Sequence, residues 1–409
     1  MADFYQTGDV ATLHRLNPNG LGRLERELEG FGRALPIGLV LPSLYSEFEN
    51  PAMSGIVREL SKVRYLNEIV VALGRANEDQ FRYARSFFDE FSGRVTFIWI
   101  DGERVQNLLA LLDEKGLSAG ADGKGRSCWL ANGYLLAQNE CEVIALHDCD
   151  IVNYSRELLA RLCYPVANPN LGYEFAKGYY TRVTDRMHGR ATRLFLTPVV
   201  RALESVTEAV PFLRFLDSFR YALSGEFAMR ANLARINRVP GDWGLEVGVL
   251  AEVFRNCAPS RVCQVDLVDN YEHKHQSLSP EDPTRGLNRM ATDIAKSLFR
   301  MVAREGVVLT REHLQTLQVR YVRLAEDTIN RYYADAMLNG LNFDRHSEEL
   351  AVATFACALK RAAAEYLRNP MGHPPMPNWN RVLSAVPNFF EMLTEAVAED
   401  NRIFEEVAA

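Results

Sequence analysis

The stretch from Cys141 to Tyr154, CEVIALHDCDIVNY, joins an apolar run to two acids, Asp148 and Asp150, set one residue apart where the run ends. "CEVIALHD" has the length and character of a strand buried on both faces, and "YSRELLARLCYP" after it carries its leucines on one side of a helix. Strand followed by helix is the unit of a parallel α/β sheet, and such sheets bind ligands beyond the carboxyl ends of their strands. The two aspartates stand there. An Asp–X–Asp triplet alone is weak evidence, since on the order of one is expected by chance in a chain of this aspartate content. Two carboxylates so close repel unless something positive lies between them. Mg²⁺ or Mn²⁺ bridging substrate phosphates suits the pair, because such ions keep one or two protein carboxylates and take their other oxygens from water and phosphate. The alternative is that Asp150 merely caps the next helix.

Working outward, the same rhythm recurs on the N-terminal side. "LPIGLVLPSL", "PAMSGIVRELSKV", "LNEIVVALG", "EDQFRYARSFFDEF", "RVTFIWID" and "ERVQNLLALLDE" alternate short β-branched runs with helices of about ten residues. This predicts βαβ units and a mostly parallel sheet flanked by helices. Residues from about 10 to 34 read as short helices leading in. Past Asp150 the pattern is mixed: "LGYEFAKGYYTR" reads as a strand, "GRATRLFLTPVVRALESV" and "WGLEVGVLAEVFRN" as helices, and "RVCQVDLVDNYEHKHQ" as a strand running into a polar segment. From about residue 282 the chain is helical and charged, broken by "NPMGHPPMPNW", so a C-terminal helical extension is expected. Its apolar stripe, without a cluster of convergent polar groups, predicts a part that stabilises the protein or pairs subunits and does not contact substrate.

Composition narrows the function. A chain of 409 residues with net charge −7 is long enough for one large α/β domain plus an extension, and its charge disfavours a nucleic-acid surface. Small-molecule partners are expected, with a local basic pocket where an anion must bind. The N-terminus has no basic start followed by an apolar core, and no apolar run reaches about 18 residues, so a cytoplasmic protein without a membrane partner is expected. The seven scattered cysteines suit reduced thiols, with no assigned metal or disulfide.

Two nucleotide motifs are missing. The first strand ends in "LPSLYSE" without a Gly-X-Gly-X-X-Gly turn, and "GLSAGADGKGRS" lacks both the leading glycine and the Ser or Thr after the lysine of a phosphate loop. Lys124 between Gly123 and Gly125 can still meet a diphosphate, or be an exposed turn lysine. Glu246 can act as a carboxylate in an active site or simply favour a helix N-terminus. Arg190 can bind an anion at a helix start or pair with Asp185. His273 can be a metal ligand or a surface histidine.

Taken in order, five segments make the chain similar to the retaining glucosyl-3-phosphoglycerate synthases, nucleotide-sugar glycosyltransferases of the GT-A (Rossmann-like) fold. They are "LPSLYSE", "GKG", "DCD", "GRAT", and "GLEVGVL" with "EHKH", and the likeness runs from about Pro36 to about Leu278. Tyr45 and Ser46 depart from the family's Pro-X-Leu-Asn-Glu pattern, and the neighbours of His273 differ from those in relatives. The resemblance implies a lead-in over 1–35, a GT-A domain over 36–281 with its donor half at about 36–150 and its acceptor half at about 151–281, and an extension over 282–409. It implies transfer of glucose from a nucleotide-diphosphate glucose to 3-phosphoglycerate, with retention, giving a compatible-solute or polysaccharide precursor. Asp150 and His273 would hold Mg²⁺ or Mn²⁺. Pro42, Ser43, Leu44, Glu47, Lys124, Asp148 and Asp150 would bind the donor, and Gly189, Arg190, Thr192 and His275 the acceptor. Asp150, Glu246 and Lys124 would act in catalysis, and a homodimer is expected. The rival readings are a mannosyl- or glucosylglycerate synthase acting on unphosphorylated glycerate, and a non-catalytic nucleotide-sugar-binding protein.

Overall fold

Apolar residues alternate between two cores along β2 (Ile37–Leu44): Val40 packs on one side of the sheet, while Ile37, Leu39 and Leu41 pack on the other. A strand buried on both faces has no polar side, which is why these runs read as continuously hydrophobic. The computed structural model describes residues 6, 8–91, 94–273 and 276–405. Among them, eight strands form one sheet: β1 (Ala11–Leu13), β2, β3 (Leu66–Gly74), β4 (Val95–Trp99), β5 (Val143–Leu146), β6 (Phe175–Tyr179), β7 (Phe227–Arg230) and β8 (Val262–Asp266). Their order is β1-β8-β6-β7-β5-β2-β3-β4, and only β7 runs antiparallel to its neighbours β5 and β6. The expected mixed, mostly parallel sheet is therefore present. No helix of the described residues is long and apolar enough to cross a membrane.

Two strands differ from the sequence reading. The lead-in is not wholly helical, because β1 pairs in parallel with β8 at the sheet edge before the helix Leu21–Phe31 begins. Three residues are too few to display a period, and β1 is held instead by a remote partner: Gln264 Nε2 donates to the buried Thr12 Oγ1 at 3.0 Å. β7 is likewise only four residues long.

The C-terminal helices belong to the same core. Ile294, Leu298, Tyr321, Phe355 and Trp379 lie in one apolar cluster with Val40, Val70 and Ile98 of the sheet. Trp379 stacks on Trp129 with ring centroids 4.1 Å apart, and Trp129 Nε1 donates to the Pro377 carbonyl at 2.8 Å. The last helix, Phe389–Glu405, covers the open edge of the sheet: Asn401 Nδ2 donates to the Phe97 carbonyl on β4 at 2.7 Å, and the Phe97 N–H reaches Asn401 Oδ1 at 3.3 Å. A side chain bonded to the edge strand in this way obstructs further pairing at that point.

This packing makes the extension part of the cooperative unit. Trp379→Ala is expected to lower unfolding free energy by about 3–5 kcal/mol, since it removes a wholly buried indole from the core. Urea denaturation checks it; a loss under about 1 kcal/mol would mean that the extension unfolds separately.

Candidate active site

β5 ends at Leu146, and the chain then turns through His147, Asp148 and Cys149 to Asp150. Asp148 lies over Gly225, where a Cβ would stand 2.1 Å from its Oδ2, so only glycine admits the carboxylate there. Lys124 is the first residue of the helix Lys124–Gln138. Its Nζ lies 2.6 Å from Asp148 Oδ1 and 3.0 Å from Glu246 Oε1. Glu246 stands in the first turn of the helix Leu245–Asn256, whose start is seated against Ser297 of the C-terminal extension. Burial opposes the Lys124 charge, but Asp148 and Glu246 outweigh it and hold its pKa well above the ordinary lysine value. Burial alone would raise the Asp148 carboxyl; Lys124 beside it overrides that and lowers it. The exposed-turn reading of Lys124 is thus replaced by an ion triad.

Asp150 does not cap the following helix, whose N-cap is Ser155. It faces His273 instead, with Oδ2 3.4 Å from Nδ1. The approach is built by backbone pairing: Ile151 bridges His273, the Val152 N–H donates to the Glu272 carbonyl at 2.8 Å, and Asn153 Nδ2 donates to the Asn270 carbonyl at 2.9 Å. Two ligands about 2.1 Å from one octahedral ion stand about 3 Å apart, so a carboxylate and an imidazole at this spacing fit a shared hard cation. Among the described residues no cluster of three or more acids, histidines or cysteines converges on a metal position. Two protein ligands suffice for an ion that takes its remaining oxygens from phosphate and water.

Pro42, Ser43 and Leu44 end β2, and Glu47 lies in the short helix Tyr45–Phe48 that follows. Ser43 is buried, and its hydroxyl donates to the Leu44 carbonyl at 3.2 Å.

The segment expected to bind the acceptor is arranged differently from that expectation. Gly189 has φ +76°, a left-handed turn that starts the helical run, and Ala191–Leu196 continue as a π-helical stretch into the helix Thr197–Val206. The N–H groups of Thr192 and Arg193 both donate to the Gly189 carbonyl at 3.0 Å, which removes them as anion donors. Thr192 Oγ1 is enclosed without a hydrogen-bond partner. Arg190 does not pair with Asp185, which instead accepts from Arg186 and Asn342. Its Nε donates to Glu348 Oε1 at 2.8 Å, and Glu348 belongs to the helix Arg345–Arg368 of the extension. Extension and acceptor segment together line a cavity of about 260 Å³ that includes Arg186, Arg190, Arg193 and Asn342. The extension therefore shares a cavity with the segment expected to bind the acceptor. A hollow of about 380 Å³ near Glu25 and Arg156 contains none of these residues. His275 lies outside the described residues.

A second layer escaped the sequence reading. Glu226 is wholly buried and accepts from Tyr271 Oη at 2.6 Å and Tyr180 Oη at 2.7 Å; burial, then Asp148, raises its pKa. The two tyrosine rings stack 3.7 Å apart, and Tyr271 meets the His273 ring edge-on. Lys177, fully buried on β6, donates to the Ser224 carbonyl at 2.6 Å, and burial pushes it down to about 8. His147 is also fully buried, and burial pushes it down to about 4, so its ring is neutral near pH 7. A charged residue inside an apolar run, as in "FAKGY", was the available signal.

No protein-family model matches the chain. It is 48% identical over 401 residues to a glucosyl-3-phosphoglycerate synthase of Persephonella marina, covering 98% of this chain and 99% of that protein. A protein of the same name from Methanococcoides burtonii is 39% identical over 403 residues, covering 97% and 98%. Among solved structures, glucosyl-3-phosphoglycerate synthase from Mycobacterium tuberculosis in complex with Mn²⁺, UDP-glucose and phosphoglyceric acid matches with a TM-score of 0.53 at 22% identity, covering 74% of this chain and 89% of that one. The same enzyme with Mg²⁺ and UDP matches at 0.52 and 21%, covering 73% and 87%. That likeness is one of fold, whereas the first two relatives align with almost every residue of this sequence: the chain belongs to the glucosyl-3-phosphoglycerate synthases.

Proposed function

We propose that the protein transfers glucose from UDP-glucose to 3-phosphoglycerate with retention of configuration, giving glucosyl-3-phosphoglycerate. Beyond family membership, the observation that carries this reading is the Lys124 ammonium held between Asp148 and Glu246, beside the facing Asp150 and His273. Asp150 and His273 would hold Mg²⁺ or Mn²⁺, which when bound supplies Lewis-acid stabilisation of the leaving diphosphate. Lys124, kept protonated by its two carboxylates, adds a fixed positive charge on the same side of the breaking bond. Asp148 orients the donor's ribose or the water around the ion. Glu246 orients the acceptor hydroxyl, which attacks on the sugar face that the diphosphate leaves. Pro42, Ser43, Leu44 and Glu47 bind the nucleotide, and Gly189, Arg190, Thr192 and His275 bind the acceptor. The basic cavity at Arg190 favours a phosphorylated acceptor over glycerate, and the intact ion triad disfavours a non-catalytic sugar-nucleotide binder.

Residues 36–281 form the transferase unit in this reading, with 1–35 and 282–409 as lead-in and extension, in a cytoplasmic homodimer. Exposed Val319, Tyr333, Met337 and Leu338 on the helix Arg311–Leu338 support pairing of subunits. Sedimentation equilibrium that gives a monomer at micromolar concentration would remove the dimer.

Asp150→Ala and His273→Ala are each expected to lower kcat by orders of magnitude and to weaken Mn²⁺ binding, read independently by the electron paramagnetic resonance of free Mn²⁺, while circular dichroism stays native. Full activity in excess chelator would rule out the metal role.

Arg190→Ala is expected to reduce kcat/KM for 3-phosphoglycerate about ten- to a hundredfold, as loss of a charged contact of roughly 1.5–3 kcal/mol requires, and to change turnover of glycerate hardly at all. Arg190→Lys should recover part of the loss, since an ammonium restores the charge without the planar fork. Equal losses on both acceptors would assign the phosphate to another group.

A further inference from the structure

Arg190 is tied to the extension by a carboxylate that it shares with a second arginine. Glu348 Oε1 accepts from Arg190 Nε and Oε2 accepts from Arg193 Nη1, each at 2.8 Å. The Glu348 side chain is 6% exposed and Arg193 10%, whereas Arg190 is 34% exposed. Arg193 is also locked from its other sides, donating through Nε to the His188 carbonyl at 2.8 Å and lying 4.7 Å over the Tyr332 ring. Glu348 therefore grips an immobile arginine with one oxygen and an accessible one with the other. Among the described residues, the terminal nitrogens of Arg190 donate no hydrogen bond, so its one tie to protein runs through Nε.

The turn that carries Glu348 is itself fixed to the acceptor segment. The Asn342 N–H donates to the Asp185 carbonyl at 2.8 Å, and its side chain donates to Asp185 Oδ2 at 3.0 Å. Asp344 caps the helix Arg345–Arg368 by accepting from the Ser347 N–H at 3.1 Å, and Glu348 follows in that first turn, where a carboxylate is favoured. A guanidinium on a flexible stem can occupy many rotamers; one held at Nε by a rigid carboxylate presents its remaining donors in one direction.

We propose that Glu348 is a positioning residue for the acceptor: it holds Arg190 through Nε and so sets the guanidinium edge that receives the phosphate of 3-phosphoglycerate. The inference rests on the reading of Arg190 as the phosphate-binding group. It gives the C-terminal extension a part in substrate recognition. A purely structural tie would leave acceptor affinity unchanged when cut, and a resident competitor for the phosphate would raise affinity when removed.

Steady-state kinetics of Glu348→Gln separate these. Gln keeps the shape but can accept from only one of the two arginines and turns an amide N–H₂ toward the other. The expected result is a KM for 3-phosphoglycerate raised about tenfold, with kcat and the KM for UDP-glucose within about twofold of wild type. Glu348→Asp, which keeps the charge and retracts it, covers the case in which Gln does not fold; an acceptor KM raised about threefold is expected. The double variant Arg190→Ala/Glu348→Gln should be no worse for the acceptor than Arg190→Ala alone. An unchanged or lowered acceptor KM in either folded Glu348 variant, while Arg190→Ala still weakens the acceptor, overturns the role of Glu348 only. An acceptor KM unaffected by Arg190→Ala overturns the phosphate reading, and this inference with it.

Discussion

The site is organised by one ammonium, Lys124, placed between carboxylates from two distant parts of the chain. Asp148 comes from the end of the central strand and Glu246 from a helix start about a hundred residues later. Burial opposes the charges of Lys124 and Asp148; each offsets that cost for the other, and Glu246 adds to the hold on the lysine. The triad is therefore mutually dependent. Positions around it follow from that requirement: Gly225 leaves room for Asp148, and Ser297 of the extension seats the turn that carries Glu246.

Behind the triad lies a second set of compensated charges. Glu226 accepts from two tyrosine hydroxyls and Lys177 donates to a backbone carbonyl, while burial opposes the charge of both. Through Tyr271 this layer reaches the segment that carries His273, two residues on. A buried polar network of this kind is stiff when every member is paired, and stiffness is what a site needs if its ligands are to wait in the right geometry.

Most of the sheet was legible because its strands are buried on both faces and so read as unbroken apolar runs. β1 and β7 were not: β1 has three residues, too few to show a period, and β7 runs antiparallel between β5 and β6, held by partners far along the chain. Asp148, Asp150, Lys124 and Glu246 were found from position and resemblance, and the structure brings each into a polar contact with another candidate. What sequence spacing could not display is which charge answers which. Asp185 stands near Arg190 in sequence, yet the partner is Glu348, because a left-handed turn at Gly189 sends the arginine toward the extension. Likewise the apolar stripe of the C-terminal helices identified their packing face and concealed the polar first turn of Arg345–Arg368, whose contacts are tertiary.

The same contacts resolve the opposition between an acidic protein and a polyanionic acceptor. Net charge acts over a Debye length of about 8 Å at physiological salt, so what an approaching phosphate senses is the local arrangement and not the total of −7. The segment expected to bind the acceptor carries Arg186, Arg190 and Arg193, which meet Asp185 and Glu348. Glu348 carries one negative charge against the two positive charges of Arg190 and Arg193, which leaves one in excess at that pair. Fully paired arginines would repel nothing and attract little, while unpaired ones could not be packed under the extension; partial neutralisation by a single glutamate shared between two arginines satisfies both conditions. A buried ion pair of this kind adds little to stability by itself, because desolvation offsets most of its attraction. Its value lies in geometry: it fixes where the uncompensated charge stands.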